Sequence, residues 1–195
     1  MVVLMEKELA HSFNIRLSKE ITDRLKSEQD KLSEKFSERR FYDSSPHLAI
    51  ATKFMNDGET DKFIEALKKE FQNETTWELE FSDFGLAETM DYIFLHLSVD
   101  SEQKLINLHE RAFQATKNIG LEIQTSSKFR PIIIYSPHIS MIKLLPEESS
   151  DALEIIKNDF SGIKMSVSCF EITKQTDNEK GFSKFPVMCE ISLNP

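Results

Sequence analysis

Apolar and polar positions alternate from Phe13 to Leu17, as in a half-buried strand. From Ser18 to about Phe36 the period lengthens. Ile21, Leu25, Leu32 and Phe36 recur at near-helical spacing among charges, which predicts an amphipathic helix. A strand running to about Phe54 follows, then the turn signal Asn56-Asp57-Gly58. A second helix is expected over Thr60 to Phe71, with Phe63, Ile64, Leu67 and Phe71 on one face, and a strand over Trp77 to Phe81. The pattern then restarts. Tyr92 to Val99 reads as a strand. Asp100, with Gln103 as reciprocal partner, caps a helix carrying Leu105, Leu108, Ala112 and Ala115 and stopping near Gly120. A strand is expected over Ile132 to Leu144, broken by Pro146, and a helix over Asp151 to Phe160, with Leu153, Ile156 and Phe160 on one side. Ser161-Gly162 turns the chain into a strand over Ile163 to Ile172, and Phe185 to Leu193 reads as the last strand.

Each half therefore reads strand, helix, strand, helix, strand, and the central strand of each opens on the same phrase. The first copy is Ser45-Pro46-His47-Leu48-Ala49-Ile50 and the second is Ser136-Pro137-His138-Ile139-Ser140-Met141. Proline fixes the entry geometry, and alternate strand residues share a face. Strict alternation puts His47 with Ala49, and His138 with Ser140 and Ile142. It turns Thr52 and Lys143 the other way. A repeat of supersecondary units is a fold-level signal. The expected fold is α+β: a duplicated β-α-β-α-β unit forming two lobes of mainly antiparallel sheet, with outer helices around a central cleft. One bilobal domain is expected over 1–195. Its halves run roughly over 12–85 and 90–193, with scope for exchanging strands.

Charge narrows the partners. The net charge is −9, whereas a protein that grips long nucleic acid through many phosphates is basic. A small anionic ligand in a locally positive pocket stays open. No apolar run is long enough to span a bilayer, and Met1 to Met5 is too short and too soon followed by Glu6 and Glu8 for a secretory signal. The two cysteines, Cys169 and Cys189, form neither a disulfide framework nor a zinc set. They read as free, buried thiols of a cytoplasmic, monomeric protein.

Two histidines in one cleft are a general acid and a general base. Imidazole holds both protonation states near neutral pH. A hydroxyl two residues on, at Ser140, can donate to the oxygens of a phosphodiester, where charge builds in the transition state. Paired His-x-Ser/Thr motifs, each behind a proline and set in a matching half, resemble the two-histidine (2H) phosphoesterase superfamily. That superfamily includes the bacterial RNA 2′,5′-ligase-like proteins and the cyclic phosphodiesterases. Pro137-His138-Ile139-Ser140-Met141 is close to its common Pro-His-Ile-Thr-Leu, and the resemblance covers nearly the whole chain. It implies two lobes around a cleft and metal-independent, cofactor-free hydrolysis or transesterification of 2′,3′-cyclic phosphates or 2′,5′ linkages. It implies His47 and His138 as the catalytic pair and Ser140 as the phosphate-binding hydroxyl. The implied partner is a small nucleotide or short RNA. The departure is Ala49, where the family pattern has Ser or Thr. Two alternatives follow: a nucleotide- or RNA-end-binding protein of the same fold with weak or no turnover, and an RNA 2′,5′-ligase.

Other residues divide between site and scaffold. Ser45 and Ser136 read as turn residues before proline. Arg39, Arg40, Lys128 and Arg130 precede the motifs and are candidates to line the cleft, with ordinary solvated charge as the alternative. Ala49 and Tyr135 are further cleft-lining candidates. Tyr135 and Phe129 could stack on a base, though aromatic residues beside a strand are more often core. His11 lacks the repeated context, and His96 and His109 are assigned to the scaffold.

Overall fold

A computed structural model describes residues 8–36, 46–88, 92–121, 135–156, 159–177 and 183–195. In chain order it contains β1 (Leu9–Ile15), α1 (Lys19–Lys35), β2 (Leu48–Met55), α2 (Thr60–Phe71) and β3 (Trp77–Glu88). The second half contains β4 (Ile93–Val99), α3 (Glu102–Lys117), β5 (His138–Leu144), α4 (Ser149–Ile155) and β6 (Lys164–Val167). The chain closes with β7 (Cys169–Lys174), the short pair β8 (Thr176–Asp177) and β9 (Ser183–Lys184), and β10 (Val187–Ser192). This is the α+β architecture read from the sequence, built on two four-stranded antiparallel sheets.

The sheets run in the orders β10-β7-β1-β2 and β5-β4-β3-β6, so the strands of the two repeated motifs, β2 directly after His47 and β5 opening on His138, are the outermost strands, one in each sheet. β3 follows the first half in sequence yet pairs with β4 and β6. β7 and β10 follow the second half yet extend the sheet of β1. The helices cross over as well: α1 packs on β5 and α4, and α3 packs on β2 and α2. One continuous core results. Phe13, Phe71 and Phe170, all fully buried, bring β1, α2 and β7 together with ring centroids 4.9–5.5 Å apart.

Several boundaries differ from the sequence pattern for local reasons. β3 continues to Glu88, because an irregular register between Phe81 and Phe84 absorbs the break in alternation at Ser82-Asp83. The cap position of α3 is Ser101 rather than Asp100, whose amide donates instead to Glu80 O (3.0 Å). The fourth buried position of α3 is Thr116, not Ala115, since its hydroxyl can back-bond to Ala112 O and Phe113 O. α4 ends at Ile155. Ile156 is already extended, and Phe160 is buried from a loop rather than from the helix, while Leu153 faces solvent. Ile163 to Ile172 is two strands in two sheets, separated at Ser168, where the buried positions change phase from Met165 and Val167 to Phe170 and Ile172. Gly120 and Gly162 stop their segments at φ +76° and +72°, a region that favours glycine. The segment 131–134 lies outside the described residues, and the described strand of the second motif begins at His138.

An ion-pair cluster ties α2 to α3. Glu74, just past α2 and mostly buried, receives Lys104 Nζ and Arg111 Nη1, both at 2.6 Å. Burial alone would raise its carboxyl. The two cations outweigh burial and hold it below the ordinary range. A depressed carboxyl stabilises the fold above its unfolded pKa, and that contribution is lost as pH falls through its folded pKa. Glu74→Gln is therefore expected to cost about 2 kcal/mol near neutral pH. The gap to wild type should close in acid below the usual glutamate range, as read by urea denaturation at a series of pH values.

Candidate functional site

Both motif strands carry a β-bulge at the same place in the repeated phrase. In β2, Ala49 faces Asn14 and Ala51 faces Phe13, so Ile50 is the extra residue. In β5, Ser140 faces His96 and Ile142 faces Leu95, so Met141 is the extra residue. Ile50 and Met141 are each the sixth residue of their copy. A bulge resets alternation. Ser12 and Asn14 share a face of β1 and oppose Thr52 and Ala49, so Thr52 lies on the same face as Ala49. By the same logic Lys143, opposite Phe94, shares the face of Ser140 and His138, and Ile142 is buried in the core. Strict alternation had turned Thr52 and Lys143 away and Ile142 outward. The bulges correct all three.

The bulges leave carbonyls outside the ladder, and buried carbonyls need partners. Each finds one on a helix of the other half. His109 of α3 donates Nδ1–H to Ile50 O (2.7 Å), and Gln29 of α1 donates Nε2–H to Met141 O (3.4 Å). Tyr135, three residues before His138, stacks flat on His109 (4.3 Å, 3°) and donates its hydroxyl to Ala49 O (2.9 Å), two residues after His47. This strut fixes one motif against the other. Burial pushes the Tyr135 phenol well above its ordinary pKa, so it stays a donor. One face of its ring lies against His109. Tyr135→Phe keeps the stack and loses the bond, and an expected destabilisation of about 1 kcal/mol is checked by chemical denaturation.

His138 is exposed, and its Nδ1 donates to Ser136 O (2.7 Å). A carbonyl only accepts, so Nδ1 carries a proton, and Nε2 is the nitrogen left to gain or lose one. Ser140 is exposed on the same face, and Lys143 Nζ sits 3.2 Å over the Tyr92 ring. His47 is half-buried at the start of β2, with its ring centroid 6.3 Å from that of Phe185.

A third histidine belongs to this face. His96 pairs across the ladder with Ser140, and its ring lies edge-to-face with His138 at 5.4 Å. Its buried Nδ1 has no hydrogen-bond partner among the described residues. Burial, and then the neighbouring His138, lower its pKa, and the nearby backbone of Phe94, outside hydrogen-bonding geometry, opposes them least. Gly85 makes room for it: a Cβ there would lie 3.0 Å from His96 Nε2. His96 had read as scaffold because alternation along β4 gives only a polar face, with nothing to mark a neighbour of His138. Arg16 was also missed. It lines a pocket on the first sheet with Asn14 and His47. Arg39, Arg40, Ser45, Lys128, Phe129 and Arg130 lie outside the described residues.

The free cysteines are Cys169, buried, and Cys189, half-buried. Among the described residues no helix is long and apolar enough to cross a membrane.

Two matched lobes, each presenting one histidine from a bulged outer strand, define a two-histidine phosphoesterase fold. The model of the 2′-5′ RNA ligase superfamily matches residues 16–179, and the chain belongs to that superfamily. Solved structures agree on the fold. Escherichia coli LigT, complexed with 3′-AMP, is 16% identical with a TM-score of 0.67, covering 97% of this chain and all of that one. Protein TT0787 of Thermus thermophilus is 14% identical with a TM-score of 0.65, covering 94% of this chain and 97% of that one. Kluyveromyces marxianus Usb1 is 10% identical with a TM-score of 0.52, covering 96% and 99%. Comparison with curated protein sequences gives no significant match.

Proposed function

We propose that the chain is a phosphodiesterase acting on a 2′,3′-cyclic phosphate or a 2′,5′-linked nucleotide by two-histidine acid–base catalysis. The observation that carries this reading is the matched placement of His47 and His138. Each opens a bulged outer strand, and the Tyr135 bond to Ala49 O ties the two strands together. One neutral imidazole takes a proton from water as the new P–O bond forms. The other, protonated, gives a proton to the ribose oxygen as the old P–O bond breaks. His138, with Nδ1–H held by Ser136 O, exchanges its proton at Nε2. Ser140 and Lys143, on the same face, supply a donor and a positive charge for the phosphoryl oxygens. The transfer from water to ribose oxygen balances, with no metal in the scheme.

Ala49 removes one hydroxyl, but the bulge brings the exposed Thr52 hydroxyl to the same face. Thr52 Oγ1 lies 3.0 Å from Ser12 Oγ, and Ser12 donates to Asn14 Oδ1 (2.6 Å), so in the free chain Thr52 donates to Ser12. A phosphoryl oxygen must compete for that proton. A 2′,3′-cyclic mononucleotide and a 2′,5′-linked oligoadenylate, each incubated with the protein in EDTA, test the reading. Turnover of either is expected. Folded protein that turns over neither would leave the binding alternative in its place.

A further inference from the structure

Beside His47, on the first sheet, lies an open pocket of about 580 Å³, within the roughly 300–1,000 Å³ of small-molecule sites. One wall is apolar: Phe185, Pro186 and Val187. The floor is polar and comes from the cleft face of β1 and β7: Asn14, Arg16, Glu171 and Thr173. This pocket is no phosphate site. Its guanidinium, on Arg16, is already matched by two carboxylates, Glu171 at 3.4 Å and Glu190 at 3.0 Å. The positive charge on the other sheet, at Lys143, stands with Ser140 and His138. A flat aromatic wall over a polar floor suits a nucleobase, with its π-face on Phe185 and its edge on the strand.

The floor has a definite donor and acceptor order. Thr173 Oγ1 accepts from Asn14 Nδ2 (3.1 Å), so its own proton is left to donate. Two residues away on the same face, roughly 7 Å along the strand, Glu171 presents two acceptor oxygens. Arg16 Nε at 3.4 Å is too long to satisfy them fully. Burial raises the Glu171 carboxyl, so a ligand that donates to it relieves a cost already present. Among the four RNA bases, only guanine has two adjacent N–H donors, N1–H and the 2-amino group, beside an acceptor, O6. Adenine and cytosine set one amino donor beside a ring-nitrogen lone pair, so they match only one carboxylate oxygen, and uracil flanks its one N–H with carbonyls.

We propose that this pocket takes the base of the substrate and selects guanine, with Glu171 accepting from N1–H and the 2-amino group and Thr173 donating to O6. The proposal rests on the phosphodiester reading above. Calorimetric titration with the 3′-monophosphates of guanosine, inosine, adenosine, cytidine and uridine tests it. Guanosine 3′-monophosphate is expected to bind about tenfold or more tighter than the adenosine, cytidine and uridine compounds, with inosine, lacking the 2-amino group, in between. Glu171→Gln is expected to bring the guanosine-to-adenosine ratio within about threefold, and Phe185→Ala to weaken all five together. Five nucleotides binding alike, or another base binding tightest, would overturn the base assignment and leave the phosphodiester reading standing. No nucleotide binding and no phosphodiester turnover by folded protein would remove both. A guanosine preference that survives Glu171→Gln would remove Glu171 from the role.

Discussion

Replacing His47 or His138 with alanine is expected to lower turnover of the preferred phosphodiester by roughly 10²–10⁴ each, the usual size of a lost general acid or base. The two losses should not multiply, because acid and base act in one transition state. The fold should survive. His138 is exposed and His47 half-buried, and removing such side chains changes stability by about 0.5 kcal/mol or less. Steady-state kinetics in EDTA, with circular dichroism of each variant, reads both effects. His138→Ala that keeps kcat and loses only affinity would move the histidine from chemistry to binding. Ser140→Ala should fall between the histidine variants and wild type, with a loss of about 10², since one donor to the phosphoryl oxygens is removed.

The largest expected effect on stability comes from the opposite side of the first sheet. Phe13→Ala is expected to cost about 4 kcal/mol. Phe13 is fully buried between Phe71 and Phe170, and its loss opens a cavity where a helix and two strands meet. Against a total of about 5–15 kcal/mol, that is a large share. Phe54, exposed on β2, supplies the control: Phe54→Ala should change stability by less than about 0.5 kcal/mol. Equal urea midpoints for the two variants would mean that the three rings do not pack as described.

Much of this architecture was legible in the sequence because period and repetition are local signals. The duplicated Ser-Pro-His phrase located both motif strands, and the apolar spacing located α1, α2 and α3. What escaped was what depends on pairing. Ile50-Ala51 and Met141-Ile142 are adjacent apolar pairs in otherwise alternating strands, and each marks a bulge. An apolar doublet alone does not say whether a strand ends, twists or bulges, so Thr52 and Lys143 fell on the wrong face. Ser168 joins two strands of different sheets, and only their partners reveal the change. His96 gains its meaning from Gly85 and His138, which lie on the two neighbouring strands. Arg16, likewise, becomes a pocket residue only once β1 is paired.

The position of β2 and β5 at the margins of their sheets has a further consequence. An unpaired margin is a template on which a second chain can add a strand, and natural proteins cover such margins. Here the cover is the other half of the molecule: His109 and Tyr135 occupy the carbonyls of Ile50 and Ala49, and Gln29 occupies that of Met141. The groups that hold the two motifs in register are thus expected also to guard against self-association. A lesion in them is expected to expose an adhesive rim, with aggregation, read by light scattering, as its visible symptom.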